Sequence, residues 1–211
     1  MPQLPAFTAP LEPVEGRDIA ALMDPRPVVV VGASAPENAG AREQAGGGPA
    51  VGFATVIWVT PLSHNPPLVA LALREKSHTM GLLRAAGAFS LSTLDAADAG
   101  AAALTELCGN NTGRSFDKEA AVGYVMASLP AEGGLDSATS APGADALPVP
   151  ASALSYELCA VESVQPAGDH LLVIGRVLAA ATRASHDAKG RVAPVETLLC
   201  VQHGSYAGIS A

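Results

Sequence analysis

Residues Gly52 to Leu94 read GFATVIWVTPLSHNPPLVALALREKSHTMGLLRAAGAFSLSTL, and this stretch decides the fold. Val51 to Thr60 is rich in β-branched and aromatic residues and reads as a strand ended by Pro61. Pro66-Pro67 punctuates, and Leu68 to Leu73 reads as the next strand. The pattern then changes period. Met80, Leu82, Leu83 and Ala86 form an apolar stripe that predicts a helix over Ser77 to Ala86, with Gly87 as its C-cap. Ala88 to Leu94 returns to a short strand.

Outward from this segment the strands continue. Pro27 to Gly32 holds four consecutive valines, which suits a strand buried on both faces or a barrel wall. Asp95 to Leu107 predicts an Ala-rich helix, and Asn110 to Lys118 a polar loop. Leu154, Tyr156 and Leu158 share one face of a strand from Ala153 to Val164, Ala167-Gly168-Asp169 turns a hairpin, and His170 to Ala180 returns. Thr197 to Gln202 reads as a last strand, and Arg17 to Met23 as a short helix stopped by Asp24-Pro25. Residues 34–50 and 127–150 are rich in Gly, Ala, Ser and Pro and read as low-complexity insertions. The expected organisation is a Pro-rich extension over residues 1–24 and one domain over residues 25–211. Strand-helix-strand alternation is missing. The class is therefore mainly β, an antiparallel six- to seven-stranded barrel with outer helices.

Composition narrows the function. Among 211 residues, 49% are hydrophobic but only 4% aromatic, so the core must be aliphatic. Twenty acidic against 12 scattered basic residues give a net charge of −8, which argues against a nucleic-acid surface. Cys108, Cys159 and Cys200 are widely spaced, without the pairing of a disulfide framework or zinc ribbon. No apolar run is long enough for a membrane span, and the proline-rich start lacks the design of a signal peptide, so a cytoplasmic location is expected. The strand at Val28 to Val31 runs into Gly32-Ala33-Ser34-Ala35-Pro36, which lacks the second glycine of a dinucleotide fingerprint. Gly204-Ser205-Tyr206-Ala207-Gly208 places its serine one position early for a hydrolase elbow. The five histidines form no metal-ligand spacing.

One local feature carries chemistry. Ser77-His78-Thr79 opens a helix, where unpaired backbone N–H groups, the helix dipole and two hydroxyls make an anion site. On the residues alone, plain capping by Ser77 is the simpler explanation.

Four segments in order, PRPVVVVGAS, the stretch quoted first, LCGNNTGRSFDK and LSYELCAVESVQPAGDHLLVIGRV, resemble the flavin reductase-like, FMN-binding split-barrel family over about three quarters of the chain. The resemblance implies a split barrel, usually a homodimer with FMN at the subunit interface. It places Thr55, Val56, Ile57 and Trp58 against the flavin largely through backbone groups, and Thr60 where a polar residue contacts it. It makes Ser77, His78 and Thr79 the phosphate site and puts Gly113 and Arg114 near the flavin edge, with His203 close to the cofactor or nicotinamide. Many members carry a basic residue where Ser77 stands, with Arg74 and Lys76 only near it, and Gly52 and Thr55 replace more usual side chains. The implied activity is hydride transfer from NADH or NADPH to flavin, with reduced flavin passed to a partner monooxygenase. Because the cofactor carries that chemistry, no catalytic side chain is expected. The same barrel also serves as an FMN-binding electron carrier or flavin store.

Overall fold

The computed structural model describes residues 13–16, 18–35, 50–128, 146–202 and 204–208. In chain order its elements are α1 (Asp18–Ala21), β1 (Arg26–Pro27), β2 (Val29–Ala35), β3 (Ala50–Val56), β4 (Val59–His64), β5 (Pro67–Arg74), α2 (His78–Ala86), β6 (Ala88–Leu94), α3 (Ala101–Asn110) and α4 (Lys118–Ala121). They continue with β7 (Tyr124–Ser128), β8 (Ala146–Pro150), β9 (Ala153–Ala167), β10 (His170–Thr182), β11 (Leu199–Gln202) and β12 (Ser205–Ala207). Seven strands make one sheet in the order β3-β2-β6-β9-β10-β5-β4, every ladder antiparallel. Its two terminal strands, β3 and β4, are consecutive in the chain. One ribbon therefore ends the sheet on both sides, and this closes it into a split barrel.

The ribbon was expected as a single strand from Val51 to Thr60. It is broken at Ile57-Trp58, so that β3 ladders with β2 and β4 with β5. Pro61 does not end β4. That strand lies at the sheet's end, and its register slips between Pro61 and Ser63, a position where a missing N–H is tolerated. The helix expected from Asp95 begins only at Ala101. The Asp95 and Asp98 carboxylates first accept the N–H groups of Ala97 (2.9 Å) and Gly100 (2.8 Å), drawing the chain into turns. Both ends of the 127–150 stretch are regular structure rather than irregular insertion, since β7 and β8 pair and bury Leu147 and Val149. Likewise residues 34, 35 and 50 belong to β2 and β3, while residues 36–49 and 129–145 lie outside the described residues.

The valine run does what its composition requires. Val29 and Val31 face one core with Leu71, Phe89, Val173 and the α2 residues Met80, Leu82 and Leu83. Val28 and Val30 face a second core with Val51, Phe53, Leu94 and the α3 residues Ala101 and Cys108. Each fully buried valine or leucine contributes about 1.5–3 kcal/mol. The two cores clamp α2 and α3 onto opposite faces of β3. Gly87 ends α2 in the left-handed region (φ 67°), its N–H donating to the Leu83 carbonyl.

Candidate functional site

The start of α2 gathers polar groups on the elements just described. Ser77 is extended (φ −65°, ψ 140°), its N–H donates to the Arg74 carbonyl at 2.9 Å, and its side chain makes no capping bond. The carbonyl of Ser77 accepts from Gly81 at 3.2 Å, so the N–H groups of residues 78–80 precede the helix ladder. Plain capping thus leaves the Ser77 hydroxyl unexplained. Thr79 is buried and His78 half-buried.

Two glycines let the surroundings close on this helix start. A Cβ at Gly52 of β3 would lie 2.8 Å from Leu82 Cδ1, 3.3 Å from His78 Cδ2 and 3.4 Å from Thr79 Oγ1. A Cβ at Gly113 would lie 2.6 Å from His78 Cδ2. The departure noted at Gly52 is therefore a packing requirement. The loop holding Gly113 is folded on itself, with Ser115 and Phe116 N–H groups donating to the Thr112 carbonyl at 3.1 and 3.0 Å.

Charge gathers at the same place. Burial pulls the His78 imidazole below its ordinary value, and the nearby Arg114 and Lys118 cations push it further down. Lys118 is only 5% exposed and donates to the Phe53 carbonyl at 2.9 Å and to the Cys108 carbonyl. Burial lowers its own pKa. Sequence reasoning did not single out Lys118. A signal existed, because it is the first residue of α4, where the helix dipole disfavours a cation unless its charge is used elsewhere.

The flavin-strand residues fall differently. Thr55 Oγ1 donates to the Thr105 carbonyl of α3 at 2.6 Å, so its hydroxyl is already engaged. Val56 is core, and Ile57 packs on the second cluster. Trp58 is 40% exposed and lies on His170. Its carbonyl accepts from Ala72 of β5, two residues before Arg74 and the turn into α2. Thr60 is exposed, its Oγ1 donating to the Pro61 carbonyl at 3.3 Å. The structure thus brings Gly113 and Arg114 to His78, between Ser77 and Thr79, and sets Gly52 against the same helix start on β3, the strand that also carries Thr55 and Val56. Thr60 stands apart on β4, and His203 lies outside the described residues.

Among the described residues the edge of β3 away from β2 carries no ladder partner. The class defined by these features is a split barrel whose β3 carries the start of α2, with unladdered N–H groups, on one of its faces. Sequence comparison makes this specific: the flavin reductase like domain matches residues 24–210, and the chain belongs to that family.

The FMN-binding protein of Thermus thermophilus, solved with bound 1-cyclohex-2-enone, is 26% identical, with a TM-score of 0.67 over 97% of this chain and 96% of its own. Flavoredoxin from Methanosarcina acetivorans is 16% identical (TM-score 0.69, 96% of this chain, 93% of its own). An NADH:FAD oxidoreductase of Streptomyces globisporus is 21% identical (TM-score 0.64, 96% of this chain, all of its own). No curated protein matches the chain. Among the described residues no helix is long and apolar enough to cross a membrane.

Proposed function

We propose that the protein binds FMN and passes hydride from NADH or NADPH to the flavin. The observation that carries this reading is the convergence of an uncapped Ser77 hydroxyl, the N–H groups of residues 78–80 ahead of the helix ladder, His78 and Arg114 over the face of β3 at Gly52. Family membership and the FMN-binding Thermus relative support the ligand class.

The residues present fit such a ligand. Ser77, Thr79 and the first α2 N–H groups would hold the phosphate, with Arg114 supplying charge from the loop. The Thr55 to Trp58 backbone would lie along the ring system, where N–H donors favour negative charge. The bound flavin supplies the hydride acceptor, so the chain needs no nucleophile and no proton-transfer pair. Its task is to orient two rings and exclude water. In the same reading two copies assemble around the cofactor, and reduced flavin serves an oxygenase partner.

The test is an anaerobic spectrum of protein with FMN, before and after NADH or NADPH. Bleaching of the flavin's visible band at a rate above that of free FMN is expected. A flavin that binds yet stays oxidised with both nucleotides would overturn the hydride-transfer reading.

A further inference from the structure

We propose that Lys118 is the positioning residue of the anion site, holding the Asn111 to Asp117 loop so that Gly113 and Arg114 close on His78, and thereby giving the site its preference for a phosphorylated flavin. This rests on the FMN reading above and names a residue that reading does not use.

The argument begins with an unusual burial. Lysine is almost never fully buried unless paired. Lys118 is 5% exposed, yet no ion pair among the described residues includes it or Arg114. The neighbouring acids are committed elsewhere: Asp117 Oδ1 accepts the Ala120 N–H at 3.0 Å as the α4 N-cap, and Glu119 Oε1 accepts from the Tyr124 hydroxyl at 2.7 Å. The ammonium instead meets two carbonyls. Cys108 lies in the last turn of α3, where the helix presents its negative end, and Phe53 is the β3 residue next to Gly52. One side chain therefore ties three elements together, namely α4, the C-terminus of α3 and the strand beneath His78.

The loop between α3 and α4 is pinned at both ends by this tie. At its start Asn111 Nδ2 donates to the Leu107 carbonyl at 3.0 Å, and at its end stands Lys118. Between them Gly113 packs against His78 closely enough that a methyl group has no room. The field of the buried ammonium reaches the same imidazole. A buried cation with no carboxylate partner among the described residues, whose field reaches His78 at the start of α2, favours a dianion at that helix start and is indifferent to an uncharged ligand.

The test uses the full-length protein and two probes, FMN and riboflavin, which differ only in the phosphate. Lys118→Met should weaken FMN by at least about tenfold while changing riboflavin by less than about twofold, and Lys118→Arg should restore most of the difference. By NMR the His78 titration midpoint should move up in Lys118→Met, because one of the two cations opposing its protonation is gone. Equal loss of both flavins, or no loss of either, in a folded Lys118→Met protein overturns the proposal. If that variant fails to fold, Gly113→Ala decides. It leaves both Lys118 bonds in place but forces the loop off His78, and FMN affinity unchanged relative to riboflavin would overturn the role of the loop. If the unmodified protein binds neither flavin, the FMN reading itself fails. Lys118 is then judged by the His78 midpoint alone, and an unmoved midpoint in Lys118→Met overturns its role.

Discussion

The indole of Trp58 rests on the imidazole of His170, ring centroids 4.6 Å apart and planes inclined by 49°. The ring beneath is itself anchored, since His170 Nδ1 and Asp169 Oδ1 are 2.7 Å apart. That hydrogen bond, with the attraction of the imidazole, holds the Asp169 carboxyl below its usual range. Trp58 is the only tryptophan of the chain, so its emission reports this pair directly. His170→Leu removes the ring beneath the indole, so Trp58 emission should change in intensity and maximum relative to the native protein at a single fixed pH. An unchanged spectrum would show that the ring contact does not set the emission.

Glu157 offers a second test. It stands on β9 opposite Leu91 of β6 and Ala180 of β10, with Oε2 buried and without a hydrogen-bond partner among the described residues. Burial raises its carboxyl pKa. The folded state therefore holds a proton that the unfolded chain releases, and stability present at low pH is lost as pH rises through the folded pKa. Glu157→Gln keeps the shape without the charge. It should be more stable than the native protein at pH 8, by about 1 kcal/mol, with the gap closing toward pH 4, as urea melts at the two pH values would measure.

His78 has the opposite pH dependence to Glu157. Its lowered pKa means that the unfolded chain binds the proton more readily, so its contribution is full above the ordinary histidine range and is lost as pH falls through it. His78→Gln should melt with a flatter acid limb, and inorganic phosphate should raise the native His78 midpoint in a proton NMR titration.

The thiols should be inert. Cys108, Cys159 and Cys200 are free and each at most 1% exposed. Burial pushes the Cys108 thiol up to about 11 and raises the other two. An aromatic disulfide reagent at pH 8 should titrate no thiol within minutes in the native protein and all three in denaturant, because the thiolate is the reacting form.

The barrel was legible because its signals are local. The Val28 to Val31 run, the period change at Ser77, the Gly87 cap and the Gly168 turn each follow from a few adjacent residues, and the strands fall close to where those residues put them. What escaped depends on contacts distant in sequence. The break at Ile57-Trp58 exists because the two halves of one ribbon ladder with different strands, which no window of ten residues encodes. Strand β8 looks like low complexity until its Pro148 carbonyl is seen to accept from Ser90 Oγ of β6. The residues of the proposed anion site were half visible: Ser77 to Thr79 and Gly113-Arg114 appear as motifs, whereas the use of Lys118 requires knowing that Phe53 and Cys108 lie beside it.

The ribbon from Ala50 to His64 has a consequence for how the molecule comes apart. Since it terminates the seven-stranded sheet at both ends, peeling β4 from β5 also loosens the segment that anchors β3 on β2. Among the described residues both rims of the sheet, β3 and β4, belong to this one ribbon. Amide protons of Val29 to Gly32 and of Val69 to Leu73, far apart in sequence, should exchange with solvent in the same slow class, as members of one cooperative unit.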